Sequence, residues 1–136
     1  MAATILYVED NPDNMTLVKR AIEAIGHVFV GAPTGTEGLQ KAEELLPDLI
    51  LLDINLPDID GYEVARRLRN SGNKHLIYVP MVAITANALK GDAEKALEAG
   101  CDVYMSKPIN IRELWNRVES LLEATKGIKS TKIPGA

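Results

Sequence analysis

The stretch Leu49-Ile50-Leu51-Leu52-Asp53-Ile54-Asn55-Leu56-Pro57-Asp58-Ile59-Asp60-Gly61 decides the fold class. Leu49–Leu52 is apolar without alternation, as a strand reads when both its faces are covered in a parallel sheet. It breaks at the carboxylate of Asp53, and a turn rich in Pro, Asp and Gly leads on to a helical pattern. Two similar runs precede it, Thr4–Val8 and His27–Gly31, and two follow, Val79–Ile84 and Val103–Met105. Amphipathic helices separate them. The first starts at Asn11-Pro12, an N-cap before a proline, repeats Met15, Val18, Ile22 and Ile25, and ends at Gly26. The second, about 36–46, is stopped by Pro47. The third, about 60–70, turns Val64, Ala65 and Leu68 inward and leaves Arg66, Arg67 and Arg69 to snorkel outward. The fourth, about 88–99, holds Gly91, where a glycine costs helix stability or marks a late start, and closes at Gly100. The fifth carries one stripe of Ile111, Leu114, Trp115, Val118, Leu121 and Leu122. This alternation predicts an α/β domain, a doubly wound parallel sheet with helices on both faces. The domain spans residues 1–125, and residues 126–136 read as a flexible C-terminal tail.

Composition bounds the function. A chain of 136 residues holds one domain, and aromatics at 4% leave an aliphatic core. No apolar run approaches the ~20 residues of a membrane span, and Met-Ala-Ala-Thr lacks the basic start of a signal peptide. A single cysteine, Cys101, excludes an internal disulfide framework and a cysteine-based zinc site; it suits a reducing cytoplasm, the expected location. The net charge is −4, and residues 1–125 alone carry 12 basic against 19 acidic side chains. That balance argues against nucleic acid as a partner, because neutralising phosphates takes clustered Lys and Arg.

Sheets of this kind bind ligands outside the carboxyl ends of their strands. Strand one ends in Glu9-Asp10, strand three in Asp53, strand four in Thr85, and strand five leads to Lys107. Taken singly, each reads as a cap, turn or surface residue; together they place three carboxylates, a hydroxyl and an ammonium on one edge. Glu9, Asp10 and Asp53 in one crevice repel one another, and a hard divalent cation removes the repulsion. Mg²⁺ fits, since it takes oxygen ligands and keeps several waters; the backbone carbonyl of Asn55 is placed to be a further ligand. With Lys107 and Thr85 beside a carboxylate nucleophile, the set suits phosphoryl transfer. Asn14 reads as first-turn helix polarity, Gly61 as a turn residue, and His27 and His75 as plain strand and loop residues.

Four motifs carry a resemblance: Val8-Glu9-Asp10-Asn11, Leu51 through Gly61, Ile84-Thr85-Ala86 and Ser106-Lys107-Pro108. In this order and spacing they resemble the receiver domain of two-component response regulators, over residues 4 to 124. The resemblance implies a flavodoxin-like (βα)5 fold with strand order 2-1-3-4-5. It further implies Mg²⁺ near Glu9 and Asp10, and Asp53 as phosphoacceptor from a sensor histidine kinase or histidine phosphotransfer protein. Thr85 and Lys107 take roles in phosphoryl coordination and switching, Tyr104 is the switch aromatic on strand five, and Lys107-Pro108 is a cis peptide. Ala86, Asn55 and Asn87 border the mouth, the two amides at positions that tune phosphoryl lifetime. The output face is helix four, strand five and helix five, presented to a downstream protein by a monomer or weak dimer.

Other readings compete. A flavin- or nucleotide-binding module needs a Gly/Ser/Thr-rich loop after strand one, where this chain has Glu9-Asp10-Asn11-Pro12. A phosphatase of the haloacid dehalogenase type has a second Asp two residues after its nucleophile, where this chain has Asn55. A receiver-like domain whose site is no longer used is a third. Residues 10–14 suit both a stand-alone regulator and a receiver cut from a hybrid kinase or longer regulator.

Overall fold

The computed structural model describes residues 2–86 and 91–130. The apolar runs become five strands: β1 (Thr4–Val8), β2 (Val28–Ala32), β3 (Leu49–Asp53), β4 (Met81–Thr85) and β5 (Val103–Ser106). They pair in parallel in the order β2-β1-β3-β4-β5, the expected flavodoxin-like topology. The central strands β1, β3 and β4 are buried on both faces because their odd and even residues feed different layers, whereas the edge strands β2 and β5 are partly exposed. Leu6, Val8, Ile50, Leu52, Met81 and Ala83 pack against α2 (Gly35–Leu45), α3 (Gly61–Arg69) and α5 (Asp92–Ala99) through Ala42, Val64, Leu68 and Ala96. Ile5, Tyr7, Leu49, Leu51, Val82 and Ile84 pack against α1 (Pro12–Ala24) and α6 (Ile111–Ser130) through Val18, Ile22, Leu114 and Val118. The Trp115 Nε1–H donates to the Ala21 carbonyl at 2.9 Å and ties α6 to α1.

Register positions the site. Val8 lies opposite Leu52, Asp53 opposite Ile84, and Thr85 opposite Ser106. The strands therefore end level, and the residues that finish or follow them meet on one edge. The chain moves to β2 on one side of β1 and returns to β3 on the other, which opens a crevice between the ends of β1 and β3.

Several expectations are corrected. A short helix, α4 (Lys74–Tyr78), precedes β4, so the fourth and fifth helices of the sequence reading are α5 and α6. Five residues are too few to show a period; the local signal is Asn73, whose Oδ1 accepts from His75 N and Leu76 N. α5 starts only at Asp92, with Gly91 left-handed (φ 86°) at its N-cap, so the glycine marks a late start and not a helix interior. α6 runs from Ile111 to Ser130, past residue 125. Arg69 does not snorkel. Its guanidinium turns in to the carbonyls of Leu76, Ile77, Val79 and Gly100 and to Asp102 Oδ2, at 2.7–3.1 Å. No helix among the described residues is long and apolar enough to cross a membrane.

Candidate functional site

Asp53 ends β3 with its side chain enclosed, 1% exposed, and Glu9, just past β1, is as deeply buried. Asp10 is exposed at the mouth, and each of the three offers a carboxylate oxygen within 4.8 Å of the others. Lys107 spans the buried pair: its Nζ lies 3.1 Å from Asp53 Oδ2 and 3.2 Å from Glu9 Oε1. The Asn55 N–H donates to Asp53 Oδ1 at 3.1 Å. Glu9 Oε1 also accepts from the Tyr7 hydroxyl at 2.9 Å and the Asn14 amide at 3.0 Å. Tyr7 was not legible as part of the site, and Asn14, close to the acidic pair in sequence, reads more simply as first-turn helix polarity. A tyrosine in a strand reads as core, and a polar residue in a first helical turn explains itself.

These surroundings divide the protons. Burial pushes the Asp53 carboxyl up, and the hydrogen bond and charge of Glu9 push it further, against the Asn55 N–H and Lys107, to about 7. Burial works the same way on Glu9, but hydrogen bonds from protonated Asp53 and Asn14, the Lys107 charge and Tyr7 outweigh it and hold it low. Lys107 loses hydration, yet Asp53 and Glu9 keep its ammonium above the usual lysine range. The two buried carboxylates thus oppose each other's ionisation, a repulsion that a cation would relieve. All its donors are hard oxygens, two buried and one at the mouth, which fits a partly hydrated Mg²⁺.

The loop after Asp53 is anchored from behind. Asp58 accepts from the N–H groups of Gly35 (2.8 Å) and Thr36 (2.9 Å) at the start of α2, so the carboxylate is held well below its usual range, chiefly by the Thr36 hydroxyl. A Cβ on Gly61 would come within 2.5 Å of the Asp53 carbonyl and 2.7 Å of the Ile54 Cα. Close approach, and not a turn conformation, therefore explains this glycine.

A profile of the response regulator receiver domain matches residues 5–119. The chain belongs to this family. Receivers are signalling domains of two-component systems, and the flavin-module and phosphatase readings fall away. The chain is 40% identical over 122 residues to the polar-differentiation response regulator DivK of Brucella ovis, covering 90% of this chain and 98% of the relative. It is similar to the receiver domain of the sensor histidine kinase PA1611 from Pseudomonas aeruginosa PAO1, whose structure has a magnesium ion in the active-site cleft. That likeness has 35% identity and a TM-score of 0.83, over 90% of this chain and 99% of the other. The chemotaxis regulator CheY4 of Vibrio cholerae, at 22% identity and TM-score 0.83 over 89% and 99%, shares the fold.

The remaining residues singled out in this receiver lie around the same edge. Thr85 is fully buried at the end of β4, and its hydroxyl donates to Asp92 Oδ2 at 3.0 Å, on the first turn of α5. Asp92 was not anticipated, because nothing local links it to Thr85. Tyr104 is 41% exposed on β5. Ala86 is exposed beside Thr85, the Lys107-Pro108 bond is cis, and Asn87 lies outside the described residues. Cys101 is buried, and burial pushes its thiol up to about 12. His27 and His75 are more engaged than expected. His27 Nδ1 accepts from the Ala3 N–H at 3.0 Å while its Nε2 meets Glu119 at 3.0 Å, and His75 Nε2 donates to the Pro47 carbonyl. Both stand at the opposite end of the sheet from Asp53.

Proposed function

We propose that this receiver accepts a phosphoryl group on Asp53 from a phosphohistidine of a sensor histidine kinase or histidine phosphotransfer protein, in a Mg²⁺-dependent reaction. The observation that carries this reading is Lys107 Nζ set between Asp53 Oδ2 and Glu9 Oε1, with Asp10 at the mouth. A buried carboxylate flanked by an ammonium and a set of hard oxygens suits a transfer whose catalysis is mostly positioning and charge neutralisation. An Asp53 carboxylate oxygen forms the new O–P bond as the N–P bond of the donor breaks, and the bonding pair stays on the imidazole nitrogen. Hydrolysis reverses the state: a water oxygen attacks phosphorus, the acyl phosphate O–P bond breaks, and Asp53 returns as carboxylate with release of inorganic phosphate. Glu9, Asp10, Asp53 and the Asn55 carbonyl would hold Mg²⁺, which would supply the positive charge that lets carboxylates and phosphoryl oxygens gather.

Switching follows from a change of hydrogen-bond partner. The Thr85 hydroxyl leaves Asp92 Oδ2 for a phosphoryl oxygen, and Lys107 turns from its carboxylates to another. Releasing Asp92 frees the first turn of α5, and Tyr104 turns inward behind Thr85. The face of α5, β5 and α6 then engages a downstream protein. Asn55 and Asn87 occupy the sequence positions, two after Asp53 and Thr85, that tune phosphoryl lifetime in receivers, and Ala86 and Pro108 flank Thr85 and Lys107. The receiver unit is residues 1–125, acting as a monomer or weak dimer without nucleic acid or membrane. A buried free thiol suits work in the reducing cytoplasm.

Mixing the protein with Mg²⁺ and acetyl phosphate and measuring intact mass tests the reading. Wild type gains one phosphoryl group and Asp53→Asn gains none. No uptake by wild type, together with no Mg²⁺ binding, overturns it and leaves a receiver whose site is no longer used.

A further inference from the structure

Glu9 is held unevenly. Its side chain is fully enclosed, and Oε1 accepts from Tyr7 Oη at 2.9 Å, Asn14 Nδ2 at 3.0 Å and Lys107 Nζ at 3.2 Å. Oε2 accepts a longer bond, from the Asn11 N–H at 3.4 Å. Apart from the Asp53 carboxyl beside it, Glu9 is thus gripped mainly through Oε1, and Oε2 is the less engaged oxygen.

The donors on Oε1 differ in what else they must do. Lys107 is shared with Asp53 and is needed at the phosphoryl group. Tyr7 and Asn14 have no such second duty. Tyr7 is 0% exposed in the middle of the sheet, two residues before Glu9 and on the same face, with its ring edge-on to Phe29 at 6.4 Å. A phenol buried so deeply costs stability unless its hydroxyl is bonded, and its partner here is Glu9. Burial also keeps the phenol protonated, so it remains a donor. Asn14 sits on the first turn of α1, whose backbone is already pinned by the Asn11 cap at 2.9 Å. Both donors therefore stand on rigid elements.

We propose that Tyr7 and Asn14 are positioning residues for cation binding: they fix Glu9 through Oε1 and turn Oε2 toward the oxygen set it forms with Asp10 and Asp53. The inference rests on the function proposed above and adds to it. When Lys107 moves to the phosphoryl group, Tyr7 and Asn14 are the donors that keep Glu9 in place, so the cation site survives phosphorylation. Ligand-orienting groups of this kind are worth about 10- to 100-fold in metal affinity.

The test is calorimetric titration of the full chain with MgCl₂ for wild type, Tyr7→Phe and Asn14→Ala, paired with acetyl phosphate uptake across Mg²⁺ concentrations. Tyr7→Phe keeps the ring and its packing, and Asn14→Ala lies outside the core, so a failure of one to fold leaves the other to decide. Each variant should raise the Mg²⁺ dissociation constant about tenfold. At saturating Mg²⁺ the uptake rate should return to within about twofold of wild type, a split that general damage to the fold would not give. Wild-type Mg²⁺ binding with unchanged affinity in both variants overturns the inference and leaves the proposed function standing. Loss of rate at saturating Mg²⁺ with unchanged affinity does the same. Absence of Mg²⁺ binding by wild type overturns the function itself.

Discussion

Asp53 and Glu9 lie at neighbouring strand ends, both 1% exposed, yet the groups around them pull their protons in opposite directions. Burial and Glu9 raise the Asp53 carboxyl to about 7, whereas an unfolded aspartate ionises near ~3.9. The folded chain keeps a proton that the unfolded chain has released. The stability this contributes is full below the unfolded value and is lost as pH rises through about 7. Glu9 runs the other way, its contribution present above its ordinary range and lost as pH falls below it. In EDTA, thermal unfolding of wild type should therefore weaken between pH 4 and 8 relative to Asp53→Asn. The variant should melt about 3–5 °C higher at pH 8, roughly what 1 kcal/mol gives in a domain of this size. Mg²⁺ should close the gap, because it binds the folded wild type across the same charges. Parallel curves for the two proteins would mean that Asp53 ionises normally. At this scale the charged site residues were legible in the sequence because each finishes a strand. Tyr7 was not, since only the fold shows that a core ring carries its hydroxyl to Glu9.

Among the elements, α3 and α4 depart furthest from what periodicity predicts. The charged residues at the end of α3 look alike in sequence, but Arg69 has a 16% exposed side chain and Arg67 a 53% exposed one. Arg69 satisfies carbonyls at the end of α4 and at Gly100 and pairs with Asp102, which itself accepts from the Met81 N–H at 2.8 Å. One side chain thus joins α3, α4 and the turns into β4 and β5. Arg69→Ala should cost about 2–3 kcal/mol in urea unfolding, since it leaves several buried carbonyls without a charged donor. Arg69→Lys should recover little, because an ammonium cannot reproduce the planar fork. Arg67→Ala, which removes a surface pair with Glu63, should cost about 0–1 kcal/mol. Equal losses at positions 67 and 69 would refute this division. Helix starts were legible where a capping residue precedes a long apolar stripe, as at Asn11. They were missed where the helix is five residues long or follows a glycine.

For the whole molecule, the sheet divides the core into two layers joined by strands whose odd and even residues serve opposite sides. Ile50→Val in one layer and Ile22→Val in the other should each cost about 0.5–1.5 kcal/mol. Their double variant should equal the sum within about 0.5 kcal/mol, with an unchanged denaturant slope, if both layers unfold together without a shared partner. A clear excess over the sum would mean that strain passes through the sheet. The sequence by itself determined the alternation of strands and helices, the aliphatic core and the set of charged residues at the strand ends. Those follow from local periodicity and from the rule that a parallel sheet keeps its chemistry at one edge. Only the tertiary structure decided which arginine turns inward, which acceptor the Thr85 hydroxyl meets, and which donors hold Glu9. Each of those depends on how far apart in space two distant segments come to lie, and spacing along the chain carries no record of it.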